Sequence, residues 1–283
     1  MDHHELGDDT APSPESNETT DRLRRHLLDV ATELVESAGG ISVALDITLD
    51  TVMRAAGVSR STMYRAWERK EEFELDLLCA LAGPTWQGTA AFDAETIALA
   101  RTIVAGRLEL LHSPDGRWRL LRETIRQSAN RNYEAVVHSA QWRSYVALTA
   151  TVVTMTKEAN RERVKQSLQD AENVFIDRMA VFYEDMAIIF GLRLRDHDMS
   201  FHRLAAVGAA IVEGLGLRQL LASEAVNTPL TIEGPDGPEQ WSLAAYGYYN
   251  AISGLIELDP TYDFNTALTT YLTKLAERDV LNS

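Results

Sequence analysis

Cysteine is almost absent: Cys79 is the only one in the chain's 283 residues. That excludes an intramolecular disulfide and any multi-cysteine zinc site. Nor is there a run of about 18 consecutive apolar residues, so nothing reads as a membrane span. The opening residues lack the basic-then-apolar layout of a signal peptide. Together these absences lead to the expectation of a cytoplasmic protein with no membrane partner. There is no P-loop, no dinucleotide fingerprint after a strand, no Gly-x-Ser-x-Gly elbow and no His-Glu-x-x-His. Strands and helices do not alternate, which argues against an α/β enzyme. No catalytic residue is assigned, no cofactor is expected, and the reading is non-enzymatic. Asp196-His197-Asp198 with His202 is the nearest approach to a metal cluster. Its two histidines do not share a helix face, so no metal site is expected.

Basic residues are also scarce, 27 against 42 acidic ones, for a net charge of −15. Taken whole, that balance weighs against a nucleic-acid partner, but the charge is unevenly placed. Residues 1–21 hold seven acids (Asp2, Glu5, Asp8, Asp9, Glu15, Glu18, Asp21) and no base. Residues 48–70 hold five bases (Arg54, Arg60, Arg65, Arg69, Lys70) against two acids, Asp50 and Glu68. Screening limits electrostatic reach to about 8 Å at physiological ionic strength. A small basic patch on an acidic protein can therefore still hold phosphates.

What is present is helical periodicity, in a chain long enough for one large domain or two small ones. Residues 1–20 are polar, acidic and interrupted by Pro12 and Pro14, and are expected to be a disordered tail. A helix is predicted from Asp21, with Leu23, Leu27, Val30, Leu34 and Ala38 on one face and a stop at Gly39-Gly40. Thr48 offers an N-cap to a short helix ending at Ala56. Ser59 offers one to the next, and a further helix runs from about Arg69 to Gly83-Pro84. Beyond this boundary the spacing predicts helices over 94–112, 117–128, 132–156, 161–190, 199–223, 241–257 and 264–281, with Pro114-Asp115-Gly116 as a turn. The stripe Val164, Leu168, Ala171, Phe175, Met179, Phe182, Met186 and Ile189 is the cleanest. Residues 226–240 read as a loop in which Leu230-Thr231-Ile232 is one short strand. The fold class is all-α. Residues 21–82 form a three-helix domain, 83–283 a larger helical domain, and 226–260 an insertion within it.

The segment Thr48 to Lys70, TLDTVMRAAGVSRSTMYRAWERK, reads as a helix-turn-helix. Gly57 supplies the backbone freedom for the turn, and Val58 packs between the two helices. Ser59 leaves backbone N–H groups at the start of the second helix, an arrangement suited to phosphate. That helix would lie in a major groove. Ala55-Ala56-Gly57-Val58-Ser59, followed by Thr62, Tyr64, Trp67 and Lys70, resembles the TetR family of bacterial repressors (TetR/AcrR type). The family pattern is alanine-glycine-valine-serine, then tyrosine, an aromatic three residues later and lysine three after that. Thr48 matches the threonine that opens the first helix of the pair. The resemblance covers about residues 21 to 73.

The resemblance implies a homodimer that binds double-stranded DNA and responds to an unknown small molecule. It implies DNA contacts by Thr48, Ser59, Arg60, Ser61, Thr62, Tyr64, Arg65 and Lys70, with Trp67 locking the recognition helix to its core. Ala66 departs from the family, standing where a tyrosine or histidine commonly meets phosphate. It also implies that the C-terminal domain binds ligand and dimerises. Trp118, Trp142, Tyr145, Met155, Phe175, Met179 and Phe182 are the candidates for lining a pocket, with plain core as the alternative for each. Glu213-Gly214-Leu215 resembles a string of the family's first dimerisation helix, to which 264–281 would be the partner. Gly208, Gly214 and Gly216 suggest close helix approach there, since glycine in a helix costs about 1 kcal/mol relative to alanine. The 226–260 insertion is expected to be a solvated packing appendage; the other reading is that its Trp241, Tyr246, Tyr248 and Tyr249 cover the pocket or extend the dimer. The expected function is a repressor of pseudo-palindromic operators, released by ligand. The alternative is a helical ligand-binding or protein-interaction module whose head no longer binds DNA.

Overall fold

The first helix, α1 (Pro14–Ser37), starts seven residues before the position that periodicity gives. Proline is at home in the first turn of a helix, where its missing N–H would be unpaired anyway, and Glu18 pairs with Arg22 one turn on. The stretch 14–20 is therefore helix, not tail. The computed structural model describes residues 14–38, 48–83, 93–221 and 224–281; the rest of the expected tail, 1–13, and the Gly39-Gly40 stop lie outside the described residues. The buried face of α1 is centred on Leu27, Ala31 and Val35. Leu23, Val30 and Leu34 flank it half-buried, and Ala38 is exposed. The stripe is thus rotated by one position from the sequence reading, because Ala31 and Val35 complete a tighter i, i+4 row.

Three short helices follow: α2 (Leu49–Ala56), α3 (Arg60–Ala66) and α4 (Lys70–Ala82). Next come α5 (Ala94–Ala105), α6 (Pro114–His138), α7 (Ala140–Thr154), α8 (Glu158–Phe190), strand β1 (Leu192–Leu194), α9 (Phe201–Leu220) and α10 (Glu224–Asn227). The chain closes with β2 (Leu230–Gly234), β3 (Gly237–Trp241), α11 (Leu243–Leu255), β4 (Ile256–Leu258) and α12 (Phe264–Leu281). The described residues are predominantly helical with a few short strands. Among them no helix is long and apolar enough to cross a membrane.

Several boundaries differ from those predicted. The 94–112 helix ends at Gly106, and Leu108–His112 is a separate 3₁₀ turn. Pro114-Asp115-Gly116 is not a turn but the first turn of α6, since Ser113 caps it by accepting from the Gly116 N–H. No loop interrupts 129–131; the break falls at Ser139, whose hydroxyl accepts from the Trp142 N–H. Four strands replace the single one expected. β2 and β3 form an antiparallel hairpin, and β1 pairs with β4 with Arg193 opposite Glu257.

The chain divides into two compact units, Met1–Trp86 with Val146–Leu168, and Gln87–Tyr145 with Gln169–Ser283. No local sequence signal announces the return of 146–168 to the first unit. In that unit Leu27, Val52, Met63, Trp67, Phe73 and Leu77 form the core. In the second, the core gathers Leu120, Ile125, Met186, Phe190, Leu204 and Trp241. The carboxylate of Asp185, almost wholly buried on α8, takes a two-pronged ion pair from Arg278 of α12. Arginine's planar fork suits that geometry.

The 226–260 segment is not a solvated appendage. Arg119, Arg122 and Arg126 stand at successive turns of α6. They bind Asp236 at 2.8 Å, Glu239 at 2.8 Å and the Gln240 carbonyl at 3.3 Å. Arg122 also lies over the Trp241 ring, 5.1 Å from its centroid, and that ring is buried. The hairpin is clamped to α6 by charge outside and by an indole inside.

Two of the three helical glycines mark close approach. A Cβ at Gly208 would stand 2.8 Å from the Tyr248 ring, and one at Gly216 would stand 2.9 Å from Trp142. A Cβ at Gly214 would meet nothing nearer than Arg218, at 3.9 Å. Gly216→Ala is therefore expected to destabilise the fold by about 1–3 kcal/mol through overpacking. Gly214→Ala is expected to stabilise it by up to about 1 kcal/mol through helix propensity. Chemical denaturation of both variants checks this, and equal effects of one sign would contradict it.

Candidate functional site

Between Thr48 and Lys70 the local chemistry builds two short helices at a tight turn. Thr48 accepts from the Thr51 N–H at 3.3 Å and caps α2. Gly57 ends that helix at φ +67°, the left-handed region that glycine enters without strain. Ser59 then caps α3, accepting from the Thr62 N–H at 3.2 Å, and its hydroxyl also pairs with those of Ser61 and Thr62. All three hydroxyls are thus held in one cluster at the start of α3.

The two faces of α3 differ sharply. Met63 and Ala66 are buried, followed by Trp67. Arg60, Ser61, Tyr64 and Arg65 are exposed and Thr62 is half-buried. Tyr64, a large aromatic, is 48% exposed. The Arg60 guanidinium lies 5.7 Å from its ring centroid, so the two side chains form one cationic, aromatic unit. Lys70 and Arg69 are exposed but engaged, Lys70 with Glu74 at 2.9 Å and Arg69 with Glu72 at 2.7 Å. At such exposure these pairs are weak. Ala66 faces inward, so no larger side chain there could reach outward without leaving the core. Its carbonyl accepts from Arg24 of α1 at 2.7 Å.

Trp67 fixes the inner face. It stacks edge-on against Phe73, centroids 5.1 Å apart, and its indole N–H donates to Asp76 at 2.7 Å. The other oxygen of Asp76 accepts from Arg163 at 2.6 Å. Cys79, half-buried nearby, has its thiol pushed up by burial.

The second unit holds a cavity between α5, α6, α8, α9 and α11, lined at one end by β1 and β4 and partly open to solvent. Most of its wall is apolar. Of the pocket candidates, Phe175, Met179 and Phe182 line it, and Trp118, Trp142, Tyr145 and Met155 do not. Trp142 is instead buried against Gly216. Tyr145 donates to Glu172 at 3.1 Å. Trp118 packs on the core, and Met155 belongs to the first unit. Tyr183 and Tyr248, facing each other across the wall, are hydrogen-bonded together, and burial raises both phenols.

Sequence reasoning missed the polar lining residues, among them Asn132 and Glu213. A signal was present for each of these two. Glu213 falls four residues after Ala209 and three before Gly216, on the buried arc of α9. Asn132 stands seven after Ile125 and four before Val136 on the buried arc of α6, and the supposed loop at 129–131 hid the first of those spacings. Burial, followed by the neighbouring charge of Glu172, pushes the Glu213 carboxyl up to about 7. His197 and His202 do not converge: they pair separately with Asp198 and Asp177. Among the described residues no cluster of histidine, cysteine and acids could hold a metal ion.

Glu213 makes stability depend on pH. Between about pH 4.5 and pH 7 the unfolded chain has lost a proton that the folded chain keeps. Stability contributed at this position therefore falls as pH rises through that window and is level above it. Glu213→Gln is expected to match the parent near pH 4.5 and to exceed it by about 1–3 kcal/mol at pH 8. Urea denaturation at several pH values reads this, and a gap that does not move with pH would contradict it.

No family model matches the chain, and no curated protein matches it.

Proposed function

We propose that the chain is a DNA-binding transcriptional regulator of the TetR type, acting as a homodimer on pseudo-palindromic operators and released from them by a small molecule. The observation that carries this reading is the two-faced α3. Its inner residues Met63, Ala66 and Trp67 are buried, and its outer residues Arg60, Ser61, Tyr64 and Arg65 stand free of the core. A seven-residue helix that spends its outward face on hydroxyls, a phenol and two arginines offers hydrogen bonds and charge to a groove. Thr48, Ser59, Thr62 and Lys70 flank that face and would hold the phosphate backbone.

The cavity in the second unit suits an effector. Such sites are mostly apolar with a few placed polar groups. Leu217 and Leu220 on α9 and Leu272 on α12 are exposed apolar side chains that a second copy would cover. Two heads one DNA turn apart, about 34 Å, would read an inverted repeat. An effector favouring another arrangement of the heads shifts the equilibrium by its difference in affinity for the two. A coupling of about 1–3 kcal/mol gives release of roughly 5- to 150-fold.

One set of observations favours a second reading, a ligand-binding or interaction module with an inactive head. The net charge is −15, and Arg69 and Lys70 already have acidic partners. Selection of binding sites from random duplexes by the full-length protein separates the two. An enriched inverted repeat, lost in Arg65→Ala, is expected. No enrichment at low salt would overturn the DNA-binding reading and leave the module.

A further inference from the structure

The cavity wall is apolar except at a few points, and most of those are internally satisfied. The Thr96 hydroxyl donates to Asp93 at 3.1 Å and the Thr124 hydroxyl to the Leu120 carbonyl at 2.8 Å. The Ser128 hydroxyl donates to the Thr124 carbonyl. Tyr183 and Tyr248 bond each other. Arg193 is held across the β1–β4 pair by Glu257 at 2.7 Å.

Two groups differ. Asn132 is 9% exposed, and its amide nitrogen is buried with no hydrogen-bond partner. Glu213 is half-buried in the wall; among the described residues no hydrogen bond or ion pair reaches its carboxyl, and the charge that bears on it is that of another acid, Glu172. Buried polar groups are normally paired, and an orphan calls for an explanation. Both line the cavity toward one end, where a Cβ at Gly216 of α9 would stand 3.2 Å from Val137 of α6, three residues past Glu213 and five past Asn132. α9 rises about 1.5 Å per residue, so Glu213 stands about 18 Å along it from Phe201, the end where Arg193 is bound. No cation of the wall offsets Glu213. Arg218, one turn on, is turned back to the Gly214 carbonyl at 3.0 Å. Tyr145, on α7, is committed to Glu172.

We infer that the cavity takes an amphiphilic amine: an aromatic or aliphatic body seated among Phe175, Met179 and Phe182, a protonated nitrogen against Glu213, and a hydrogen-bond acceptor at the Asn132 amide. The body gains by leaving water, and the acid selects the sign of the polar end. An anion of the same shape meets the Glu213 carboxylate and is rejected. A neutral analogue leaves the Glu213 charge half-buried and unpaired. The inference rests on reading this cavity as the effector site.

The test uses three probes on the full-length protein at pH 8, read by the fluorescence of their common dansyl group. They are dansylcadaverine, its N-acetyl derivative, and N-dansyl-6-aminohexanoate. The amine is expected to bind at least about tenfold more tightly than the neutral derivative, as a charge-assisted bond allows, and the carboxylate is expected to bind most weakly. Glu213→Gln is expected to bring amine and neutral derivative within about twofold. Asn132→Leu is expected to weaken all three alike, since each carries the same sulfonyl acceptor. Equal binding of amine and neutral derivative by the unaltered protein overturns the inference, as does no binding of any probe; neither result depends on a variant's folding. DNA retention, measured separately, reports on the regulator reading. An amine preference without any DNA binding would leave this inference standing and overturn that reading, and release by the neutral derivative alone would do the reverse.

Discussion

The carboxylate of Asp76 is the point on which the first unit turns. It is largely buried, and both of its oxygens are engaged, one by the Trp67 indole and one by Arg163. A buried charge is tolerable only when it is paired and hydrogen-bonded, and here the buried Trp67 indole in turn needs the acid. Without it the indole N–H, at the foot of α3, would be buried with no acceptor. Trp67 in turn meets Phe73 edge-on and lies 5.9 Å below the Arg24 guanidinium, which also holds the Ala66 carbonyl. The outward set of Ser61, Tyr64 and Arg65 follows from this inner anchorage. A seven-residue helix has too little propensity to hold its own orientation.

The second unit relies on arginine in another way. Arg119, Arg122 and Arg126 hold the hairpin, Arg278 neutralises Asp185, and Arg117, buried over the Tyr262 ring at 4.3 Å, reaches the Phe190 and Gly191 carbonyls. Each pairs with an acid or a backbone carbonyl, of which Asp185 and the Phe190 and Gly191 carbonyls are the buried ones. Against that background Glu213 stands out as an acid to which no arginine comes. The same wall that satisfies nearly every other polar group leaves this carboxyl and the Asn132 amide to whatever enters.

Much of the fold could be read in the sequence wherever capping residues and apolar spacing agreed. Thr48, Gly57 and Ser59 fixed both ends of α2 and the start of α3 to the residue, and the α8 stripe is buried or half-buried along its length. The readings that failed did so where one residue has two meanings. Pro114 and Gly116 serve a turn or a first helical turn equally well, and only Ser113 as cap decides between them. The hairpin escaped notice because its strands are short and its anchor is on α6, more than a hundred residues earlier. The exposed face of α3 was legible because its residues follow one another in the chain. The cavity was only half legible, since Asn132 and Glu213 come to one wall only through the packing of α6 against α9. The aromatic side chains of Trp118 and Trp142, which marked themselves as pocket candidates by type, proved to be framework.

The central claim is that the Thr48–Lys70 surface holds DNA phosphates despite the acidic whole. The most direct test is the salt dependence of duplex binding by the full-length protein, followed by fluorescence anisotropy from about 50 to 200 mM salt. The account predicts that log K falls linearly with log salt, and that replacing Lys70 with alanine makes the slope shallower by about one contact per head. An affinity that does not respond to salt, or a slope that Lys70→Ala leaves unchanged, would contradict it.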